Sequence, residues 1–268
     1  MKNRRTQLQA FTIIELLVVI ALLVVLVAIQ IPARAATKAS VVRVYCSSNL
    51  KRVGIAFRSW AGSHGDRMPM ATPVSQGGAA EAIGFRGNGV TFSANSSRGV
   101  FWMFAVMSNE LTTPKILYCP SEYRAQIYQA SIFGNDVSTN TGFKSDFQTS
   151  YFVGVDANTV NPNMLLTGDH NLGDGATPPT TVNIYGESSR WFVALGTNST
   201  WGSQSPGWAD NQHAKQGNVA FADGSVQNLT TTRLREAMNK TGDLGRSAGS
   251  FVQATGSLGT GVNRLQFP

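Results

Sequence analysis

Phe11-Thr12-Ile13-Ile14-Glu15-Leu16-Leu17-Val18-Val19-Ile20-Ala21-Leu22-Leu23-Val24-Val25-Leu26-Val27-Ala28-Ile29 is the stretch on which the fold turns. It is an unbroken apolar run except for Thr12 and Glu15. A helix of that length rises far enough to cross roughly 30 Å of hydrocarbon at about 1.5 Å per residue. The run therefore predicts a transmembrane helix. Glu15 is its exception. A carboxylate inside a bilayer costs a few kcal/mol, less near an interface. It is expected either to have a partner or to snorkel to the cytoplasmic interface.

Upstream, residues 1–10 (MKNRRTQLQA) are short, polar and basic. Three readings of the start compete. One is a secretory signal peptide cut after Ala33-Arg34-Ala35. Another is an uncut signal anchor. The third is a leader cut just before Phe11. Downstream, Pro32 lacks an amide proton and should kink or locally open the helix. Beyond it Val42, Tyr45, Cys46, Leu50, Val53, Phe57 and Trp60 recur near helical spacing, with Lys38, Arg43, Lys51, Arg52 and Arg58 between them. Gly62 is the expected stop. One helix of about 50 residues follows, lipid-facing in its first half and amphipathic in its second.

The residues Ala10-Phe11-Thr12-Ile13-Ile14-Glu15-Leu16-Leu17 resemble the cleavage motif of type IV prepilins, usually Gly followed by Phe-Thr-Leu-Ile-Glu-Leu. Counted from Phe11, Glu15 is the fifth residue and Pro32 the twenty-second, the places at which pilins typically carry Glu and Pro. Ala10 departs from the usual Gly and bears on cleavage efficiency. The resemblance implies cleavage and methylation at Ala10/Phe11. It also implies that Glu15 neutralises the N-terminal amine of a neighbouring subunit during assembly, since a buried carboxylate and ammonium are tolerable together and costly apart. Cys46-Ser47-Ser48-Asn49-Leu50-Lys51 resembles a Cys-x-x-Asn-Leu-Lys segment of one bacterial pilin-like group that also carries a later Cys-Pro-Ser, here Cys119-Pro120-Ser121.

The 268 residues hold 42% hydrophobic and 14% charged side chains, enough for a buried core but not the make-up of a polytopic membrane protein. The net charge of +7 falls to +4, 19 basic residues against 15 acidic, once Lys2, Arg4 and Arg5 are set aside. The rest form no basic tract, and nucleic acid is not an expected partner. The two cysteines sit in no CxxC and have no His at metal-ligand spacing. An exported body predicts one Cys46–Cys119 disulfide; two independent buried thiols are the alternative, because sequence does not show whether the Cβ atoms meet. The resemblance adds weight to the disulfide.

The body, residues 63–268, reads as an irregular excursion over 63–100 and a short helix at Phe101–Met107. A strand Ile116–Cys119 and a loop over 134–149 follow. Further strands are expected at Tyr151–Val155, Met164–Thr167, Asn183–Tyr185, Trp191–Ala194 and Asn218–Ala222. Asp223-Gly224 then predicts a hairpin through a type I′ turn. Thr231–Asn239 should be a helix capped by Thr231 or Thr232, and the tail to Pro268 should meander. The expected fold is α+β: a long N-terminal transmembrane and amphipathic helix packed on a C-terminal antiparallel sheet, with a leader at 1–10, the helix at 11–62 and the body after it.

His213, nine intervening residues, Asp223 and Gly224 resemble the H-x9-DG motif of prepilin-processing-associated C-terminal regions, here about 205–230. His213 and Asp223 are expected to meet across the hairpin as a structural contact. Gly168-Asp169-His170-Asn171-Leu172-Gly173-Asp174-Gly175 carries oxygen ligands for calcium, with Asp169 and Asp174 as weak candidates. It lacks EF-hand spacing, and a strand–turn–strand with Asx turns is the expected structure. His64, His170 and His213 are scattered, and no GxSxG, HExxH or Walker pattern is present, so no enzyme and no cofactor is expected. The resemblance implies a structural subunit of a type IV pilus-like or type II secretion pseudopilus filament. Its partners would be a prepilin peptidase, other subunits, an inner-membrane assembly platform and the lipid bilayer. It would be single-pass in the inner membrane with an extracytoplasmic body. The alternative is a membrane-anchored exported binding or adhesion module using the same route.

Overall fold

Thr12 opens the first helix, α1 (Ile13–Ser63), in a computed structural model. The structure describes residues 11–84, 99–134, 142–174, 183–184, 192–195, 206–241, 252–253 and 263–268, with backbone only at 28–39, 174, 183–184 and 252–253. The chain divides into two compact units, Met1–Val41 and Val42–Pro268. The boundary falls inside α1, so the amphipathic half of the helix belongs to the body.

The expectation of a membrane-crossing helix is overturned. Among the described residues, no helix is long and apolar enough to cross a membrane. The apolar helical stretch with described side chains, Ile13–Val27, has 15 residues. The helical assignment continues through Pro32, whose side chain lies outside the described residues.

The far end of α1 is set by Gly65, not Gly62. Gly65 adopts φ +65°, and the Asp66 amide donates to the Ala61 carbonyl at 2.9 Å. This is the six-to-one hydrogen bond of a glycine-terminated helix.

After α1, single-turn helices cover 69–82. Then come α2 (Val100–Ala105), α3 (Ser108–Leu111), β1 (Ile132–Phe133), β2 (Gly142–Phe143), β3 (Tyr151–Gly154), β4 (Leu165–Asp169), β5 (Leu172–Asp174) and β6 (Asn183–Ile184). The remainder is β7 (Phe192–Ala194), β8 (Pro206–Trp208), α4 (Asp210–His213), β9 (Gln216–Phe221), β10 (Val226–Thr230), α5 (Thr231–Met238), β11 (Val252–Gln253) and β12 (Arg264–Gln266). The fold is α+β. Among the described residues, seven strands form one sheet in the order β10-β9-β4-β3-β12-β7-β11, every pairing antiparallel. A three-stranded antiparallel sheet, β6-β5-β8, flanks it, and β1 and β2 form a short parallel pair.

The inner strands β3, β4, β7 and β9 of the large sheet are buried on both faces, while the edge strand β10 is partly exposed. Alternate residues serve two cores. Tyr151, Val153, Leu166 and Ala220 join Cys46, Leu50, Val53, Phe57 and Trp60 of α1. Phe152, Leu165, Val219, Phe221 and Leu265 join Trp208, Leu234, Met238 and Phe267 on the other side.

Other expectations are corrected. Ile116–Cys119 is no strand. Thr113 accepts a hydrogen bond from the Lys115 amide and Pro114 stands at the first position, which turns Pro114–Leu117 into a 3₁₀ helix. Within the expected 134–149 loop, Gly142–Phe143 pairs with β1. The cap of α5 is Thr230, whose hydroxyl accepts from the Arg233 amide at 3.4 Å. The C-terminal tail does not simply meander: β12 sits inside the large sheet between β3 and β7.

Candidate functional site

His213 and the Asp223-Gly224 pair do not meet. They stand at opposite ends of β9, which runs Gln216–Phe221 between them. The nine-residue spacing is the length of that strand with its two end connections. Each end docks on α1.

At the turn end, the Gly224 amide donates to the Phe221 carbonyl at 2.8 Å, and the Phe221 amide to the Ser225 carbonyl at 2.9 Å. Among the described residues of this turn only Gly224, φ +79°, is left-handed. The connection is therefore not a type I′ turn, which needs positive φ at two residues. It is a tight turn closed by a left-handed glycine, the bulged hairpin arrangement. The Asp223 side chain accepts from the Ser225 amide at 2.7 Å. Lys51 Nζ donates to the Gly224 carbonyl at 2.6 Å, and Arg58 Nη1 donates to the Asp223 carbonyl. Gly54 faces this turn: a Cβ there would lie 3.6 Å from Gly224 Cα.

At the histidine end, Cys46 of α1 and Cys119 form a disulfide with Cα atoms 5.5 Å apart. His213 Nε2 lies 3.5 Å from Cys119 Sγ and 3.3 Å from Asp169 Oδ2. The Asp169 carboxylate is fully buried, and its Oδ2 accepts from the Asn218 amide at 2.7 Å and from Asn218 Nδ2 at 2.8 Å. Arg43 of α1 donates to the His213 carbonyl at 3.4 Å and to Gln216 Oε1 at 3.2 Å. The next two residues, Ala214 (φ 53°) and Lys215 (φ 61°), are both left-handed without being glycine. Such residues cost on the order of 1–3 kcal/mol each and persist only where the surroundings hold them. Here the holding contacts are Arg43 and Asn171, whose Nδ2 donates to the Ala209 and Gln216 carbonyls.

The Cys46–Lys51 segment is read by the same geometry. Cys46 makes the disulfide, Asn49 Nδ2 donates to the Tyr118 carbonyl at 3.4 Å, Leu50 is fully buried, and Lys51 reaches the glycine turn.

Beside this cluster lies a buried ionic group. Arg124 forks onto Glu122, with Nε to Oε1 at 3.0 Å and Nη2 to Oε2 at 3.2 Å. His170 Nδ1 donates to the Ser150 carbonyl at 3.3 Å and stands 3.5 Å from Glu122 Oε2, with its ring stacked on Tyr123. Burial, reinforced by the Arg124 charge, lowers the His170 pKa to about 3, so the ring is neutral. Burial raises the Glu122 carboxyl, but the Arg124 fork opposes it, and the group is held below its ordinary value. With His170 neutral, Arg124 is the lasting counter-charge.

Of the two calcium candidates, only Asp169 has a described side chain. Asp169 ends β4 and Asp174 ends β5, in different sheets, and the Asp174 side chain lies outside the described residues. Asp169 is engaged by Asn218 and His213 instead.

At the start of α1, Ala10 lies outside the described residues, and Phe11 is exposed. Glu15 has a local role that its apolar setting concealed. The Thr12 amide and hydroxyl donate to Glu15 Oε2 at 2.9 and 2.8 Å, and the Glu15 amide donates to Thr12 Oγ1 at 3.3 Å. This is a reciprocal capping box, and the signal for it, Thr-x-x-Glu at 12–15, is legible in the sequence. From Phe11 to Val27 every residue is exposed, including Ile13 at 80% and Val27 at 60%.

No family model matches the chain, and comparison with known proteins and with solved structures finds none that is similar to it.

Proposed function

We propose that the protein is a structural subunit of a pilus-like or pseudopilus filament, processed before Phe11 and assembled through the first half of α1. One observation carries the reading: the exposed helix Ile13–Val27, apolar throughout except for Glu15. Exposed apolar surface on that scale marks an association site. Equivalent helices of neighbouring subunits are its proposed cover, and a leader peptidase and an export-linked assembly platform are its proposed partners. The extracytoplasmic body is held by a disulfide, in keeping with an oxidising compartment.

The capping box gives Glu15 a role within its own chain, separable from pairing with a neighbour's amine. Glutamine serves as well as glutamate at the third helical position of a capping box, so Glu15→Gln keeps the cap and removes the charge. If the carboxylate neutralises the amine of Phe11 in a neighbouring subunit, Glu15→Gln leaves cleavage intact and blocks incorporation into filaments. Normal incorporation of Glu15→Gln would reduce Glu15 to a helix cap. Mass spectrometry of the mature chain tests the processing step. A start at Phe11 is expected, and a start at Ala36 or Thr37 overturns it.

A further inference from the structure

The sulfur pair on α1 is surrounded by more ligating chemistry than a disulfide uses. The Sγ atoms of Cys46 and Cys119 and a ring nitrogen of His213 all lie within 4.8 Å of one another, and all three residues are buried. Asp169 Oδ2 is 3.3 Å from His213 Nε2. The other Asp169 oxygen, Oδ1, is buried with no hydrogen-bond partner among the described residues. An unpartnered carboxylate oxygen in a residue with no exposed surface calls for a cation or a donor.

We propose that this cluster is a redox-gated zinc site: reduction of the Cys46–Cys119 disulfide converts it into a Cys2His centre for a divalent cation, with Asp169 beside the fourth position. The distances are those of such a site. In a tetrahedral zinc centre with Zn–S near 2.3 Å and Zn–N near 2.0–2.1 Å, the sulfur–nitrogen edge is about 3.5 Å. Cys119 Sγ and His213 Nε2 are 3.5 Å apart. The two sulfurs, once no longer bonded, need to part to an edge of about 3.8 Å. Cys46 sits on α1 and Cys119 on the connection after Pro114–Leu117, so the parting is shared between two elements. The second shell is in place. Asn218 donates twice to Asp169, and Arg43 holds the His213 carbonyl.

The step balances. A dithiol reductant passes two electrons and two protons to the Cys46–Cys119 bond and leaves as its own disulfide. The two thiols formed release two protons as they bind the cation. His213 coordinates through Nε2, which requires its proton to be on Nδ1. Two thiolates cancel the charge of the dication, and Asp169 adds one negative charge beside it. The ligand class is a soft-to-borderline divalent metal, for which thiolate and imidazole together select. The inference does not depend on the filament reading.

The test uses the full chain in a non-ionic detergent, reduced anaerobically with a phosphine and titrated with Zn2+ against a chromophoric chelator, and separately with Co2+. One metal per chain is expected after reduction and none before it, with Co2+ showing thiolate charge-transfer and tetrahedral d–d absorption. His213→Gln, reduced, should keep both free thiols and bind at least 10-fold more weakly. Should reduction alone loosen the body, adding Zn2+ should restore its tryptophan fluorescence and its melting transition. The proposal is overturned if the reduced chain takes up no metal and zinc restores nothing. Equal binding in the His213→Gln chain, or in the Cys46→Ser/Cys119→Ser chain, overturns it as well.

Discussion

Replacing His170 with Gln should flatten the acid side of the stability profile. The His170 ring is fully buried, held by Ser150 and Glu122 on one edge and by Tyr123 on its face. Burial takes its pKa from 6.5 to about 3. The unfolded chain therefore binds a proton on this ring in a range where the folded chain does not. Stability from the neutral ring is complete above pH 6.5 and declines as pH falls from 6.5 towards 3. The slope is about 1.4 kcal/mol per pH unit, so lowering pH from 7.5 to 5 should cost about 2 kcal/mol through this one residue. The Glu122 carboxyl, held below its ordinary value, acts in the same direction but only further down, as pH falls through its folded-state value below 4.5. Between pH 7.5 and 5 the two effects are separable. Urea unfolding followed by fluorescence reports the change, because Trp60 and Trp208 are buried. The wild-type chain should lose about 2 kcal/mol more than His170→Gln over that range, or about 4–8 °C in melting temperature for a body of this size. Equal losses in the two chains would show that the His170 proton is bound alike in the folded and unfolded states, and the burial argument would be wrong.

Three further outcomes are expected. Cys46→Ala/Cys119→Ala, without added metal, should lose about 4 kcal/mol in chemical denaturation, because the closed loop spans a sequence separation of 73; a loss under 1 kcal/mol would mean that contacts around Asn49 and Leu50 already confine the unfolded chain. Gly154→Ala should be among the most damaging single changes, since its Cβ would stand 1.8 Å from the Leu165 carbonyl oxygen across the β3–β4 pair. A loss of about 3 kcal/mol or more is expected, and a normal melting curve would refute the register. Gly224→Ala should cost about 1–2 kcal/mol, the strain of a left-handed residue with a side chain, because φ is +79° and Arg58 crowds the position. Backbone amide exchange at Ser225 and Val226 should rise in that variant, and unchanged exchange would remove the turn from the docking account.

How far the sequence alone reached can be argued element by element. The stripe Cys46–Trp60, β3, β4, β9 and β10 are legible because apolar periodicity reports a buried face whatever covers it, and the run from Phe11 is legible from its length and hydrophobicity alone. Spacing leaves the Cys46–Cys119 pairing open, and the fold closes it. The capping box is legible at Thr12-x-x-Glu15 as a Thr-x-x-Glu pattern, set inside a run whose hydrophobicity points to a bilayer. Gly65 rather than Gly62 ends α1 through its left-handed backbone, φ +65°, a conformation that no residue type displays.

What the sequence determined by itself was local: where helix and strands form and which faces are apolar. The tertiary structure alone decided what those residues touch. His213 meets Cys119 and Asp169 rather than Asp223, because a strand of six residues holds the two ends of the motif apart. The three residues Arg264-Leu265-Gln266 show the same limit most plainly. They are too short for any periodicity to mark, yet they form an inner strand of the large sheet, between β3 and β7. Their strand state comes from hydrogen bonds to chain more than a hundred residues away, at Val153 and Gly154, and from Arg264 Nε on Asp156 at 2.9 Å. Pairing energy of that kind lies in the partner, not in the segment, and only the folded chain brings the two together.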